Sequence, residues 1–195
     1  MNRSCLAVIV VVMTTLTASC ASHQGFPANW TLPEPASGED CPNISGRYVN
    51  SGETISGNDS VALRFQWFWK DLSKYPVPLG MWRNVSEISL QQEGQNHLSI
   101  TAWAEGKVLY SETLSKYADG FVCEEGWLKI RASSGGGTSG GMWTSHWVRG
   151  FSNAGGHLLE KEEYEGFAML LVIPIVGSGT RWYRFQRIEE PKLQQ

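Results

Sequence analysis

From Cys41 onward the chain alternates apolar and polar residues over short stretches, with turn chemistry recurring at about ten-residue intervals. In His97–Ala104, Leu98, Ile100 and Ala102 fall on one face and Ser99 and Thr101 on the other. In Trp127–Ala132, Leu128 and Ile130 oppose Lys129 and Arg131. A period of two places successive side chains on opposite faces of a strand. The pattern predicts strands over Gly46–Asn50, Val61–Trp69, Glu87–Gln92, His97–Ala104, Lys107–Leu114, Gly120–Cys123, Trp127–Ala132, Met142–Phe151, His157–Tyr164, Phe167–Val176 and Thr180–Ile188. The breaks include Glu93-Gly94-Gln95-Asn96, Glu105-Gly106, Asp119-Gly120, Glu125-Gly126, Asn153-Ala154-Gly155-Gly156, Glu165-Gly166 and Gly177-Ser178-Gly179, where glycine supplies the positive φ of a tight turn.

Many short strands joined by short turns imply an all-β domain. The expected fold is an antiparallel meander closed as an up-and-down, lipocalin-like barrel or stacked as a sandwich. Lys70–Asn84 interrupts the rhythm, and Pro76 and Pro78 make it a loop crossing with at most one helical turn near Lys70–Tyr75. Phe167–Val176 (FAMLLVIPIV) is the most apolar run and reads as a central core strand ending or bulging near Pro174, with a membrane-contacting patch as the alternative. Ser133–Gly141 (SSGGGTSGG) lacks the Lys-Ser/Thr of a phosphate cradle and reads as a mobile hairpin loop.

Residues 1–19 carry a different pattern. Arg3 gives a positive start, and Leu6–Leu16 (LAVIVVVMTTL) is an apolar stretch too short for a spanning helix, which needs about 20 residues. Leu16-Thr17-Ala18-Ser19-Cys20 follows. It resembles the lipobox of bacterial lipoproteins, although Thr17 stands where that family usually has leucine. The resemblance implies cleavage before Cys20, diacylglycerol on its sulfur and an acyl chain such as palmitate on its new amino group. Ala21 after the cysteine implies sorting to the outer membrane, with the domain facing the periplasm. An ordinary secretory signal cut near Ala21 is the competing reading of these residues. Several chains are required physically, because a single acyl chain holds a protein at a membrane only marginally. Residues 20–40, with Pro27, Pro33 and Pro35, read as a lipidated cysteine and a tether reaching at most roughly 65 Å. Phe26 and Trp30 on it can rest on the membrane interface or on the domain. Residues 41–190 form the β domain and 191–195 a tail.

The cysteines sort accordingly. Cys5 leaves with the leader and Cys20 takes lipid. Cys41 and Cys123 remain where an oxidising compartment permits a disulfide, two separate buried thiols being the alternative. Cys41-Pro42-Asn43-Ile44-Ser45-Gly46-Arg47-Tyr48 and Thr180-Arg181-Trp182-Tyr183-Arg184-Phe185 are similar to the two ends of the globular part in small proteobacterial envelope lipoproteins, a resemblance that implies no activity.

Charge narrows the partners. Charged residues make up only 18% of the 195 and the net charge is −3, which disfavours nucleic acid. No HExxH or Walker loop is present, no spacing suggests a metal, and no cofactor is implied. Glu160, Glu162, Glu163 and Glu165 cluster around Lys161; alternation puts Glu160 and Glu162 on one face and Glu163 and Glu165 on the other, most simply as a solvated set, a weak cation or partner site being the alternative.

The sharper candidates come from the nine tryptophans. Trp143, Trp147 and Arg149 fall on one face of a predicted strand, Trp182 and Arg184 on one face of another, and Phe65, Trp67 and Trp69 on one face of a third. Pointed into a barrel, they would line an aromatic chamber for a small amphiphile or an anion, with arginine orienting it. The plainer outcome is a solid core of rings with the arginines stacked on them or at the rim. The chain is therefore expected to be a lipid-anchored envelope protein whose β domain binds a ligand or an envelope protein. A structural or assembly role is the first alternative. A hydrolase of envelope polymers, with a histidine such as His146 or His157 meeting a carboxylate, is the second.

Overall fold

The computed structural model describes residues 20–33, 40–54, 61–62, 84–116, 120–138, 141–170 and 173–188. The expected leader, the expected strand through Phe65, Trp67 and Trp69, nearly all of the expected Lys70–Asn84 crossing and the expected tail lie outside the described residues.

Among the described residues, eleven strands form one sheet. They are β1 (Cys20–His23), β2 (Gly46–Thr54), β3 (Val61–Ala62), β4 (Glu87–Glu93), β5 (His97–Ala104), β6 (Lys107–Ser115), β7 (Val122–Glu124), β8 (Trp127–Thr138), β9 (Gly141–Ala154), β10 (His157–Leu170) and β11 (Ile173–Arg187). The path through the sheet is β6-β5-β4-β2-β11-β10-β9-β8-β7, with β1 added to β11 and β3 to β2. Pairing along this path is antiparallel throughout. Its two end strands, β6 and β7, follow one another in the chain, and a single bridge, Lys116 to Phe121, lies between them.

That order curls the sheet around one core. Tyr48 from β2, Ile88 and Leu90 from β4, Leu98 and Ile100 from β5, Leu128 and Ile130 from β8, Phe151 from β9, Leu158 from β10 and Phe185 from β11 meet in a single buried cluster. Leu109, Tyr110 and Leu114 of β6 pack against it. The result is the expected all-β meander, arranged as an up-and-down barrel with a seam between β6 and β7. Its middle is filled: Tyr48, Phe151, Phe185, Leu128 and Leu158 are almost completely buried. Tyr48 donates its hydroxyl to the Ile44 carbonyl at 3.0 Å and lies 3.1 Å from the Asn153 side chain, so the one polar atom of that ring is satisfied. The expected disulfide joins Cys41 to Cys123, 82 residues apart, and ties the lead-in to β2 to the edge strand β7.

Three hairpins follow their turn chemistry. Glu105-Gly106, Glu125-Gly126 and Gly155-Gly156 take positive φ at both central residues, as a two-residue hairpin with the correct twist requires. Other expected breaks are not breaks. Glu165-Gly166 lies inside β10 and Gly177-Ser178-Gly179 inside β11, all paired in register. Phe167–Val176 is not one core strand but the two arms of the β10–β11 hairpin, Phe167↔Val176 and Leu170↔Ile173 being cross-strand partners. Ser133–Thr138, expected as loop, continues β8 and pairs with Gly141–His146. Glycine permits a turn without compelling one, and an in-register partner strand is enough to hold it extended.

Candidate functional site

Strand β11 is longer than its partner β2, whose pairing with it ends at Tyr183↔Thr54. β1 takes up part of the remaining edge. It runs parallel to β11, from Cys20↔Gly177 to His23↔Thr180. Gln24 N donates to the Thr180 carbonyl at 3.1 Å, and His23 Nδ1 lies 3.1 Å from Thr180 Oγ1. The approach depends on Gly179: a Cβ there would stand 2.5 Å from both the Ser22 carbonyl oxygen and the Tyr164 ring. Because the strands are parallel, the amino end of β1 points toward the start of β11. The backbone at Cys20 is therefore the part of β1 nearest the end of the sheet where the β8–β9 and β10–β11 hairpins close.

The segment expected as a tether packs, over its described part, on the outer face of the sheet. Trp30 is buried with Ala154, Leu159 and Trp182, and Phe26 and Trp127 pack against them. Phe26 meets Trp182 edge-on at 5.0 Å, and Trp127 lies 5.8 Å from Trp182. Trp182 Nε1 donates to the Gln24 carbonyl at 3.0 Å. Arg184 stacks over Trp30 at 5.0 Å and also pairs with Glu53; the Lys161 ammonium sits 5.7 Å from the Trp182 ring. Gly150 makes room for Trp127, whose ring would lie 3.2 Å from a Cβ there. This outer cluster is a second core, made by wrapping the N-terminal segment over the barrel wall.

The inner face of the same strands carries a polar layer beside the apolar core. Glu162 pairs across the sheet with Arg149 on β9 and Arg181 on β11, and Glu160 with Phe151 and Tyr183. Arg149 Nη2 donates to Glu162 at 2.8 Å, and its Nε lies 3.5 Å from Glu160. Arg181 reaches to within 3.8 Å of Glu162 and stacks over Tyr164 at 5.2 Å. Glu160 is only 3% exposed. Burial pushes its carboxyl up to about 7; Arg149 pulls the other way, and Glu162 adds to the rise. Burial likewise raises the Tyr183 phenol, with the Glu162 charge adding to it. The expected split of the acidic cluster is present, with Lys161–Glu163 at 2.6 Å on the outer face. Glu160 and Glu162 are buried and paired with arginine, however, and are not solvated.

The five aromatic and arginine candidates do not form one chamber. Trp143, Trp147 and Arg149 share the inner face with Phe151; Trp182 and Arg184 lie on the outer face, because Tyr183 and Phe185 take the inward positions on β11. Trp147 stands opposite Tyr164, and Trp143 lies beyond it at the exposed hairpin end. Arg181, one position from the expected pair, is the β11 residue that joins Arg149. The phase of β10, with Leu158 inward, carried that signal for Glu160 and Glu162 as well. Neither histidine forms a catalytic pair among the described residues. His157 Nδ1 lies 3.1 Å from the Gly155 carbonyl. His146 is exposed opposite Glu165, with no hydrogen bond between them.

The fold and these features define a class: a small open β-barrel with a packed interior, a buried arginine–glutamate layer, and an N-terminal strand added to its last strand. No protein-family model matches the chain, and no curated protein matches it. Among solved structures, a mutant of the fluorescent protein UnaG aligns with 75% of this chain and 97% of its own, at 7% identity and a TM-score of 0.30.

Proposed function

We propose that this chain is an envelope lipoprotein, cut before Cys20 and held at the outer membrane by acyl groups on that residue. Its β domain faces the periplasm and serves as a non-enzymatic binding module. The observation that carries the reading is the order Arg3, Leu6–Leu16, then Leu16-Thr17-Ala18-Ser19-Cys20. The docking of residues 20–33 on the barrel supports it, since lipid at Cys20 would then hold the domain directly. The filled barrel and the division of the aromatic set between two faces favour recognition of an envelope protein at the surface over capture of an amphiphile inside. This supports the assembly role among the alternatives.

The test is expression with the native leader in a lipoprotein-processing host fed an alkynyl palmitate analogue. Label should enter the wild type and sediment with the outer membrane. Cys20→Ala should take no label and leave the membrane fraction. Equal labelling or equal sedimentation of the two would refute the anchor. In-cell crosslinking from the barrel surface should give a recurrent protein partner; adducts with lipid alone would refute the assembly role.

A further inference from the structure

The hairpin end of the sheet is apolar on both of its faces. Met142 (56% exposed) and Val176 (50%) project from the outer face, where Phe167 and Met169 are their cross-strand partners. Trp143 (48%) and Ile175 (52%) project from the inner face, on either side of Ala168. No Asp, Glu, Lys or Arg occurs between Ala132 and Val148 or between Gly166 and Thr180. β1 adds no acidic or basic charge except the ring of His23. In water such an end is unfavourable, and clustered exposed apolar side chains mark a contact surface. A protein partner covers one face of a sheet; a surround that is apolar on every side suits both.

Cys20 says which surround. It is paired with Gly177, four residues from the start of β11 at Ile173, or about 13 Å along a strand. The parallel run of β1 aims its amino end at those exposed side chains. Acyl chains on Cys20 would therefore enter a bilayer on the same side as Trp143, Ile175 and Val176. The depth is bounded. Gly135–Gly137 of β8 and Pro174–Val176 of β11 have no further strand beside them among the described residues, and unpaired backbone groups are not tolerated in hydrocarbon. An end of this kind belongs at the headgroup boundary, about 5–10 Å deep, where tryptophan is favoured.

We infer that the β8–β9 and β10–β11 hairpin end is a membrane-interface contact, seated in the leaflet that holds the Cys20 acyl chains and fixing the barrel upright on it. This rests on the proposed lipidation of Cys20. The test uses full-length protein processed in the host and reconstituted in phosphatidylethanolamine–phosphatidylglycerol vesicles. Spin labels are placed at Ile175→Cys and, at the opposite end of β11, at exposed Gln186→Cys. Intact mass first reports whether acyl groups are present. On acylated protein, the label at 175 should collide several-fold less with a water-soluble nickel chelate, and more with oxygen, than the label at 186. Equal exposure of the two labels would overturn the contact while the anchor stands. Dipolar broadening between labels at 175 would also overturn it, by showing that a second copy covers the end. If the mass shows no acyl groups, the anchor fails by itself. Vesicle-dependent shielding at 175 would then still support the contact, and its absence would overturn it.

Discussion

Strands β8 to β11 contain two regions built on the same pairing but given opposite surroundings. In the first, around Leu158–Glu162, both faces are covered. Phe151, Leu158 and Phe185 meet the barrel core on one side, and Leu159 and Trp182 meet the N-terminal segment on the other. In the second, at the hairpin end beside Phe167–Met169, Met142, Trp143, Ile175 and Val176 stand about half in solvent on both faces. Backbone pairing continues through both without interruption. The difference teaches that ladder hydrogen bonds extend a sheet beyond its core, while burial depends on what stacks upon it. The charged residues follow the same division. They occur at the covered level, where Arg149 neutralises Glu162 and faces Glu160, and are absent from the uncovered end.

The largest expected effect tests what holds the covered region in place. Cys41→Ala with Cys123→Ala opens a loop of 82 residues and should cost about 4.5 kcal/mol in the chain-entropy description. Denaturant unfolding of the oxidised protein and the double variant measures this; a change below about 1 kcal/mol would mean that the seam is held by other contacts. Phe185→Ala should cost about 3–5 kcal/mol, since the ring is fully buried. Trp182→Ala should cost about 3 kcal/mol and, more diagnostically, release residues 20–31 to rapid amide exchange while the core strands stay protected. Uniform loosening of all strands would show that the outer cluster is not a separable layer. At the uncovered end, Val176→Ser should change stability in water by less than about 1 kcal/mol, because half of the side chain is already exposed. A loss near that of Phe185→Ala would erase the distinction between the two regions.

A pH titration sharpens the same contrast. The Glu160 carboxyl, near 4.5 when free, is raised to about 7 in the fold. The folded state therefore holds the proton more tightly than the unfolded state between those values. The stability this contributes is fully present below about 4.5 and falls as pH rises through about 7, then levels off. Glu160→Gln should flatten that slope and gain relative to wild type above neutrality, as read from unfolding midpoints at several pH values. A variant with the wild-type slope would place the titration elsewhere.

Much of the fold was legible because period-two patterning is local. The strand His97–Ala104 agrees residue for residue, and Glu105-Gly106 and Glu125-Gly126 turn where glycine follows a residue able to take positive φ. The disulfide was legible because two cysteines remained once the leader and Cys20 were set aside. Gly166 and Gly177–Gly179 misled, since composition does not distinguish a glycine in a turn from one that lets Tyr164 and β1 come close. β1 was invisible. Four residues with no alternation become a strand only because β11 offers a free edge 157 residues away. The candidate site was half legible for a related reason. Alternation grouped Trp147 with Arg149 and Trp182 with Arg184, but which face of β11 turns inward is decided by Tyr183 and Phe185 meeting the core. No single strand carries that information.

The most direct test is the intact mass of the mature polypeptide taken from the envelope of a host that processes its native leader. A chain beginning at Cys20 and carrying diacylglycerol with an amide-linked acyl group is the predicted result. A first residue at any other position, or a bare thiol at Cys20, would contradict it.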